Sequence, residues 1–138
     1  MGITRIWERL YLGSLKDAAQ LATANPFSIT AVVSLCSHKV PHKANGVSYA
    51  GVPIADSSPI SPRKFEEIMA EVAKGVRHGN LLIHCVGGMS RSPIMTAAWM
   101  HRCGYLNLVA ALLEIAERRP IIDPSPVLLR SVAAHLCR

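Results

Sequence analysis

The chain has 138 residues and a formal net charge of +6, with 50% hydrophobic and 17% charged residues. This length and composition indicate one globular domain and exclude a disordered chain. No apolar stretch approaches the roughly 18 residues that a membrane span needs, and the charged N-terminus is unlike a secretory signal. The basic residues are scattered and do not form a typical nucleic-acid platform. We therefore expect a soluble, cytoplasmic monomer with no membrane or nucleic-acid partner, whose positive charge suits a phosphorylated substrate.

The first half of the chain predicts short strands and one helix. Runs of apolar and β-branched residues identify the strands, and Asn25-Pro26 ends the helix. The predicted strands are residues 3–7, 10–12, 29–36 and 48–54. The predicted helix is residues 15–24, and loops are expected over residues 37–46 and 55–60.

The second half predicts longer helices around one more strand. Ser61-Pro62 opens a helix, with the serine as its N-cap. Its predicted buried face comprises Phe65, Ile68, Met69, Val72, Ala73 and Val76. Gly79 follows that helix, and residues 80–84 predict a buried strand. Residues 91–102 are apolar on all sides and suit an interior helix, and two further helices are predicted over residues 106–117 and 127–136.

Alternating strands and helices predict the fold class and the place of the site. The pattern indicates a single α/β domain over residues 1–138, with a mixed, mostly parallel sheet flanked by helices. In such sheets, ligands bind beyond the carboxyl ends of the strands. Three candidate side chains follow strands there, namely Cys36, Asp56 and Cys85.

The segment from Cys85 to Arg91 combines parts that phosphate chemistry uses. The backbone amides between them can turn inward around a dianion, and two glycines allow the tight turn of the backbone that this requires. The N-terminus of the following helix, which carries partial positive charge, points at the same dianion. Arg91 can bind two phosphoryl oxygens, and this environment lowers the pKa of Cys85, whose thiolate can attack phosphorus. The predicted phosphate-binding residues are Val86, Gly87, Gly88, Met89, Ser90 and Arg91.

Cleavage of a phosphate ester also needs a proton on the leaving oxygen, and the aspartates are the candidates. Asp17 lies in a predicted helix and is expected at the solvated surface. Asp123 lies in a proline-rich turn, where it is expected to cap the next helix. Asp56 lies just beyond a strand, on a loop that can reach the phosphate, and it is therefore the predicted general acid.

The segment HCVGGMSRS, from His84 to Ser92, resembles the signature loop of the protein tyrosine phosphatase superfamily, and specifically that of dual-specificity phosphatases. Tyr11-Leu12-Gly13, VPIAD at residues 52–56 and RPIIDP at residues 119–124 resemble early, general-acid and late segments of that family. The resemblance covers nearly the whole chain in the same order. Gly87 stands where the family usually has Ala, and Ser125 where it usually has Asn; neither departure removes a chemical group.

The resemblance implies further roles and a substrate class. Ser92 would hydrogen-bond the sulfur of Cys85 and help it leave, and His84 would bond to the loop backbone and tune the pKa of that cysteine. The compact size implies a shallow site that accepts phosphotyrosine, phosphoserine and phosphothreonine of a phosphorylated protein. Three alternatives stay open: a phosphoinositide or other small-molecule phosphatase, a rhodanese-like sulfur transferase, and a phosphate-binding module without activity.

The four cysteines are Cys36, Cys85, Cys103 and Cys137, and they include no C-x-x-C pair. This spacing argues against a zinc site and a disulfide scaffold, so neither a metal nor another cofactor is expected. Cys36 and Cys85 lie at the ends of two predicted strands. Resemblance to lipid phosphatases of the superfamily makes Cys36 a candidate redox partner that captures oxidised Cys85 as a disulfide. The alternative is that Cys36 is a small buried hydrophobic residue.

Overall fold

The computed structural model describes residues 2–137, in which the strands lie in the first part of the chain and three helices follow the last strand. The strands are β1 (Thr4–Trp7), β2 (Leu10–Gly13), β3 (Ile29–Ser34), β4 (Ser48–Gly51) and β5 (Asn80–His84). The helices are α1 (Leu15–Gln20), α2 (Pro62–His78), α3 (Arg91–Arg102), α4 (Leu108–Arg118) and α5 (Pro126–Leu136).

The strands form one sheet in the order β1-β2-β5-β3-β4. β1 pairs with β2 in antiparallel fashion, and all other neighbours are parallel. β5 is central, and its last residue, His84, lies opposite Gly13 of β2 and Ser34 of β3. The carboxyl ends of these parallel strands therefore meet at one edge of the sheet, and whatever follows β5 emerges between two neighbours.

Apolar side chains cover both faces of the sheet, because successive residues of a strand point to opposite sides. Val33 and Ile83 belong to the larger buried cluster, which includes residues of α2 and α3. Val32 and Leu82 belong to a second cluster with Ala18 of α1. α3 also packs against α4 and α5 and is buried along most of its length. These layers confirm the predicted α/β fold with a mixed sheet between helices.

The longest helix, α2, follows its predicted pattern closely. The Ser61 side chain accepts a hydrogen bond from the Lys64 amide at 3.2 Å, and Pro62 occupies the first turn. Four residues of its predicted inner face are buried, namely Phe65, Ile68, Met69 and Val72. Val76 packs against the core while partly exposed, and Ala73 is half-buried.

Several elements are shorter than predicted, each for a local reason. α1 ends at Gln20, where the chain continues as a turn whose residues 22–24 are exposed and have no core to pack against. β4 ends at Gly51, soon before Pro53, which has no N–H to donate to a ladder. α4 begins at residue 108, because the Asn107 side chain accepts from the Ala110 amide and caps it.

No helix within residues 2–137 has the length and apolarity that a bilayer crossing requires.

Candidate active site

The loop over residues 86–90 leaves β5 and enters α3, and neighbouring segments hold its carbonyl groups from outside. The Leu15 amide donates to the carbonyl of Val86 at 3.0 Å, and the Asp123 amide donates to that of Met89 at 2.6 Å. The carbonyl of Gly88 accepts from Nε of Arg119 at 3.1 Å. With these carbonyls bound to the scaffold, backbone amides of the loop are free to face the cysteine.

Cys85 lies directly after β5 with 2% of its surface exposed, at the centre of those amides. Burial alone would raise its pKa, but hydrogen bonds to the sulfur outweigh that effect. They come from the hydroxyl of Ser92, whose Oγ lies 3.3 Å from Sγ, and from the backbone amides of Ser92, Gly88 and Ser90. The pKa of Cys85 therefore lies below its ordinary value, which favours the nucleophilic thiolate.

Replacing Ser92 with alanine should raise the pKa of Cys85. The substitution removes the hydroxyl hydrogen bond to the sulfur, while the burial that disfavours the thiolate remains. Since a lowered pKa means more thiolate at a given pH, its loss should move the titration to higher pH. The ultraviolet absorbance of the thiolate, measured against pH with a Cys85→Ser blank, checks this shift. An unchanged midpoint would show that the hydroxyl does not stabilise the thiolate.

Arg91, at the start of α3, is half-buried and keeps donors free near the loop. Its Nη1 donates to the carbonyl of Ile54 at 3.1 Å. Its Nε is buried and has no hydrogen-bond partner among the described residues. A guanidinium carries five N–H donors, and a buried donor without a partner is costly. An oxyanion bound in the loop would satisfy it.

Asp56 lies in an exposed turn two residues beyond Ile54. The hydrogen bond from Arg91 to Ile54 therefore connects this turn to residues 85–91, which we call the phosphate loop after their predicted role. Within residues 2–137, the Asp56 carboxylate makes no hydrogen bond or ion pair. The structure therefore brings the backbone of this turn to Arg91 and leaves the carboxylate unrestrained. Its role as general acid stays a prediction.

His84 is fully buried and links the loop to the neighbouring strand. Its Nδ1 lies 3.1 Å from the carbonyl oxygen of Cys85, and its Nε2 lies 2.6 Å from Oγ of Ser34. A carbonyl oxygen only accepts, so Nδ1 carries the proton and Nε2 accepts from the Ser34 hydroxyl. Burial lowers the pKa of His84, although the bond to Cys85 opposes this, and the neutral ring is favoured. The sequence analysis did not identify Ser34 as the partner of His84. Its position as a polar residue at the end of a buried strand could have indicated such a role.

Asp17 is not at the solvated surface, and that prediction is wrong. Only 6% of this residue is exposed, and its Oδ2 accepts from the Ser14 amide at 2.9 Å. The same oxygen lies 3.9 Å from Nη2 of Arg119. The spacing Ser14-x-x-Asp17 forms a capping box around the first turn of α1, which fixes the carboxylate in place. The Ser-x-x-Asp spacing is visible in the sequence and could have indicated that Asp17 is held at the start of α1.

Arg119 is fully buried and supports the loop through its hydrogen bond to the carbonyl of Gly88. Besides Gly88, it donates through Nη1 to the carbonyl of Gly2 at 2.7 Å and to Oγ1 of Thr4 at 2.8 Å. Burial lowers its pKa, while the charges of Asp17 and Cys85 act in the opposite direction. The guanidinium thus joins the N-terminal segment and the phosphate loop.

Asp123 does not cap the next helix as predicted. The N-cap of α5 is Ser125, whose Oγ accepts from the Leu128 amide at 3.4 Å. The backbone amide of Asp123 instead holds Met89, and that of Ser125 donates to Oγ of Ser90 at 2.9 Å. The segment around residues 119–125 is therefore a support for the loop.

The two glycines of the loop differ in what they require. Gly88 has φ +69°, and a Cβ there would lie 2.8 Å from both Nη2 of Arg119 and the carbonyl oxygen of Gly13. At Gly87 the nearest atom to such a Cβ is 3.5 Å away, in the side chain of Met89, which is ordinary contact. Only Gly88 therefore needs to be glycine on these grounds.

We expect Gly88→Ala to lower the free energy of unfolding by about 1–3 kcal/mol, because it strains the backbone and displaces the loop. The matched change Gly87→Ala should alter stability by less than about 0.5 kcal/mol. Urea denaturation of both variants makes the comparison. Equal losses from the two substitutions would contradict this difference between the glycines.

Cys36 is buried just beyond β3, and its thiol contacts the carbonyl of His38 at 3.6 Å. Cys36 and Cys85 are both free thiols. Cys85 belongs to the larger buried cluster with Val33 and Leu35, and Cys36 is not a member of that cluster. Their pairing as a disulfide stays a prediction. Nowhere in residues 2–137 do three His, Cys, Asp or Glu side chains converge as ligands for a metal.

Comparison with known proteins identifies the family. The family model of the dual specificity phosphatase catalytic domain matches residues 10–136. Human dual specificity protein phosphatase 15 is 31% identical over 120 residues, which cover 85% of this chain and 40% of that protein. Mouse dual specificity protein phosphatase 14 is 29% identical over 126 residues, covering 90% and 64%. The crystal structure of human DUSP28 aligns with TM-score 0.83 and 26% identity, covering 96% of this chain and 94% of that one.

The chain spans 34% to 64% of the length of three of the curated relatives that it matches. The matched region nevertheless includes every element from β2 to α5 and the whole loop between Cys85 and Arg91. The chain therefore belongs to the dual specificity phosphatase family, and residues 10–136 are a catalytic domain of that family.

Proposed function

We propose that this protein hydrolyses phosphate monoesters on phosphotyrosine, phosphoserine and phosphothreonine of protein substrates through a cysteinyl-phosphate intermediate. The observation that carries the proposal is the sulfur of Cys85, which is buried, hydrogen-bonded to Ser92 and surrounded by loop amides. The relatives named as dual specificity protein phosphatases support the substrate class. A cytoplasmic location and a monomeric state stay predictions.

The first step transfers the phosphoryl group to sulfur. The amides of residues 86–91 and the guanidinium of Arg91 hold the phosphoryl oxygens and stabilise the charge that develops on them. The thiolate of Cys85 attacks phosphorus, an S–P bond forms, and the P–O bond to the leaving group breaks with its electron pair. Asp56 donates its proton to that leaving oxygen.

The second step releases phosphate and restores the enzyme. The Asp56 carboxylate, now deprotonated, accepts a proton from water as the water oxygen attacks phosphorus. The S–P bond breaks, and its electron pair returns to sulfur as the thiolate. The Ser92 hydroxyl, 3.3 Å from that sulfur, stabilises the departing thiolate by a hydrogen bond.

A substrate panel tests this function against its alternatives. We expect turnover of phosphotyrosine and phosphothreonine peptides to exceed that of phosphoinositides, because Val86, Gly87, Gly88 and Met89 offer no lysine for a multiply phosphorylated headgroup. A thiosulfate assay tests sulfur transfer, which does not require Asp56. Preference for phosphoinositides or for thiosulfate would replace the proposal, and no turnover of any substrate would indicate a binding module.

Asp56→Asn should lower kcat/KM by roughly 10²- to 10⁴-fold for substrates with a poor leaving group, because the leaving oxygen then departs without a proton. The loss should be much smaller for an aryl phosphate whose leaving group departs readily as an anion. Steady-state kinetics over a series of leaving groups measures both. Equal losses across the series would assign Asp56 a structural role instead.

A further inference from the structure

The loop after β3, residues 37–46, leaves the sheet beside the phosphate loop. β3 and β5 are parallel neighbours, with Ser34 opposite His84, and the Leu35 amide donates to the carbonyl of His84 at 2.9 Å. Adjacent strands lie about 4.8 Å apart. The two loops therefore begin side by side at the carboxyl edge of the sheet, where the proposed phosphate site lies.

This loop is cationic, and its charges have no acidic partner among residues 2–137. Its charged and titratable side chains are His38, Lys39, His42 and Lys43, and all four are exposed. No acidic residue occurs in the sequence between Asp17 and Asp56. Among the described residues, neither lysine forms an ion pair. We call residues 37–46 the cationic loop.

Three contacts and the burial of Val40 hold the cationic loop in place. The Cys36 thiol contacts the carbonyl of His38 at 3.6 Å, and Val40 is buried. The amide of Ala44 donates to Oη of Tyr49 at 2.8 Å, and Nζ of Lys43 lies 5.4 Å from the centroid of the same ring. The lysines are thus carried by an anchored segment, which lowers the ordering cost of binding.

Part of this segment lines a cavity of about 300 Å³. Its lining includes Cys36, His38, Lys39, Lys43, Tyr49 and Pro53. None of the described residues that line it is acidic, so its wall attracts an anion. Pro53, which lines the cavity, directly precedes Ile54, whose carbonyl accepts a hydrogen bond from Arg91, so the cavity and the proposed active site share the Pro53-Ile54 segment.

We propose that the cationic loop binds carboxylate side chains of the peptide substrate, and so selects phosphorylated residues that have Asp or Glu nearby. This inference rests on the proposed protein phosphatase function. An extended peptide advances about 3.3 Å per residue. Two to four positions from the phosphorylated residue therefore span roughly 7 to 13 Å, which is the range that the test peptides sample.

Three phosphotyrosine peptides test the proposal on the whole chain. One has glutamates two to four positions before the phosphotyrosine, one has them after it, and one has glutamine at all these positions. We expect one acidic peptide to exceed the glutamine peptide in kcat/KM by about tenfold at low salt, since each exposed charge pair contributes a few-fold. The ratio should fall towards one near 1 M salt, where the screening length is about 3 Å.

The double substitution Lys39→Gln with Lys43→Gln should reduce that ratio to nearly one, with thermal unfolding showing that the variant is folded. The control Lys74→Gln with Arg77→Gln removes the same charge from exposed positions near the end of α2, away from the carboxyl edge of the sheet. This control variant should keep the wild-type ratio of kcat/KM between the acidic and the glutamine peptide. Equal wild-type rates on all three peptides, or equal effects of both double variants, would overturn the proposal.

Two further measurements separate the possible failures. Wild-type hydrolysis of an aryl phosphate that carries no second anion reports on the proposed function alone. Turnover of this compound without any peptide preference would refute the role of the cationic loop and leave the phosphatase function standing. The second measurement is binding to vesicles of phosphatidylcholine with phosphatidylserine. If the wild type binds these vesicles, the loop variant does not, and the peptides are turned over equally, the loop would be assigned to a lipid surface and the peptide proposal overturned.

Discussion

Replacing Cys85 with serine should lower the turnover of an aryl phosphate by about 10⁴-fold or more. The substitution keeps the size of the side chain but removes the thiolate, and a serine hydroxyl at this position has no general base to activate it. The hydrogen bonds that favour a negative charge on sulfur, from Ser92 and the loop amides, do not make an alcohol nucleophilic. Steady-state kinetics of the purified variant measures the loss.

Cys103→Ser is the matched control for this experiment. Cys103 is exposed at the C-cap of α3, and partial desolvation of its thiol raises its pKa, which disfavours the reactive form. We expect turnover by this variant to stay within about twofold of wild type, since the change is a surface substitution. If Cys85→Ser keeps most of its activity, the assignment of the nucleophile is wrong.

Replacing Arg91 with lysine should lower kcat/KM by roughly 10²- to 10³-fold, although the positive charge remains. An ammonium group cannot bind two phosphoryl oxygens with parallel hydrogen bonds, as a planar guanidinium does. It also cannot donate to the carbonyl of Ile54 while offering a second, fixed donor to the phosphate. Loss of such preorganised donors acts mainly on the transition state, so kcat should fall together with kcat/KM.

Arg102→Lys provides the comparison at the other end of α3. The Arg102 guanidinium pairs with Glu66 at 2.7 Å on the surface, so this substitution tests the loss of a guanidinium from the same helix away from the loop. We expect little change in kcat/KM, because exposed ion pairs contribute weakly. Similar losses in the two variants would mean that Arg91 acts through the stability of α3 and not through phosphate.

The main features of the fold could be predicted from local sequence patterns. The apolar run of residues 80–84 and the Ser61-Pro62 start of α2 agree with the observed elements, because each depends on short-range chemistry. Ends of elements were less predictable. β3 stops at Ser34 and not at Cys36, since the register with β5 ends at His84 and the chain then leaves the sheet.

The support of the site depends on contacts between residues far apart in the chain, and the sequence does not encode these locally. Arg119 reaches Gly2 and Thr4 near the N-terminus, and Asp17 lies beside it. The partnership of His84 with Ser34 likewise requires the strand order. A buried arginine and a surface arginine look alike in sequence, so burial could not be assigned before the fold.

The most direct test of the account is the isolation of the covalent intermediate. Asp56→Asn should still transfer phosphate from an aryl phosphate with a good leaving group, but it lacks the base that activates water, so the intermediate should accumulate. Mass spectrometry after a rapid denaturing quench should find one phosphoryl group, on the peptide that contains Cys85. A phosphoryl group on another residue, or turnover with no phosphorylated Cys85 at any time, would contradict the proposed mechanism.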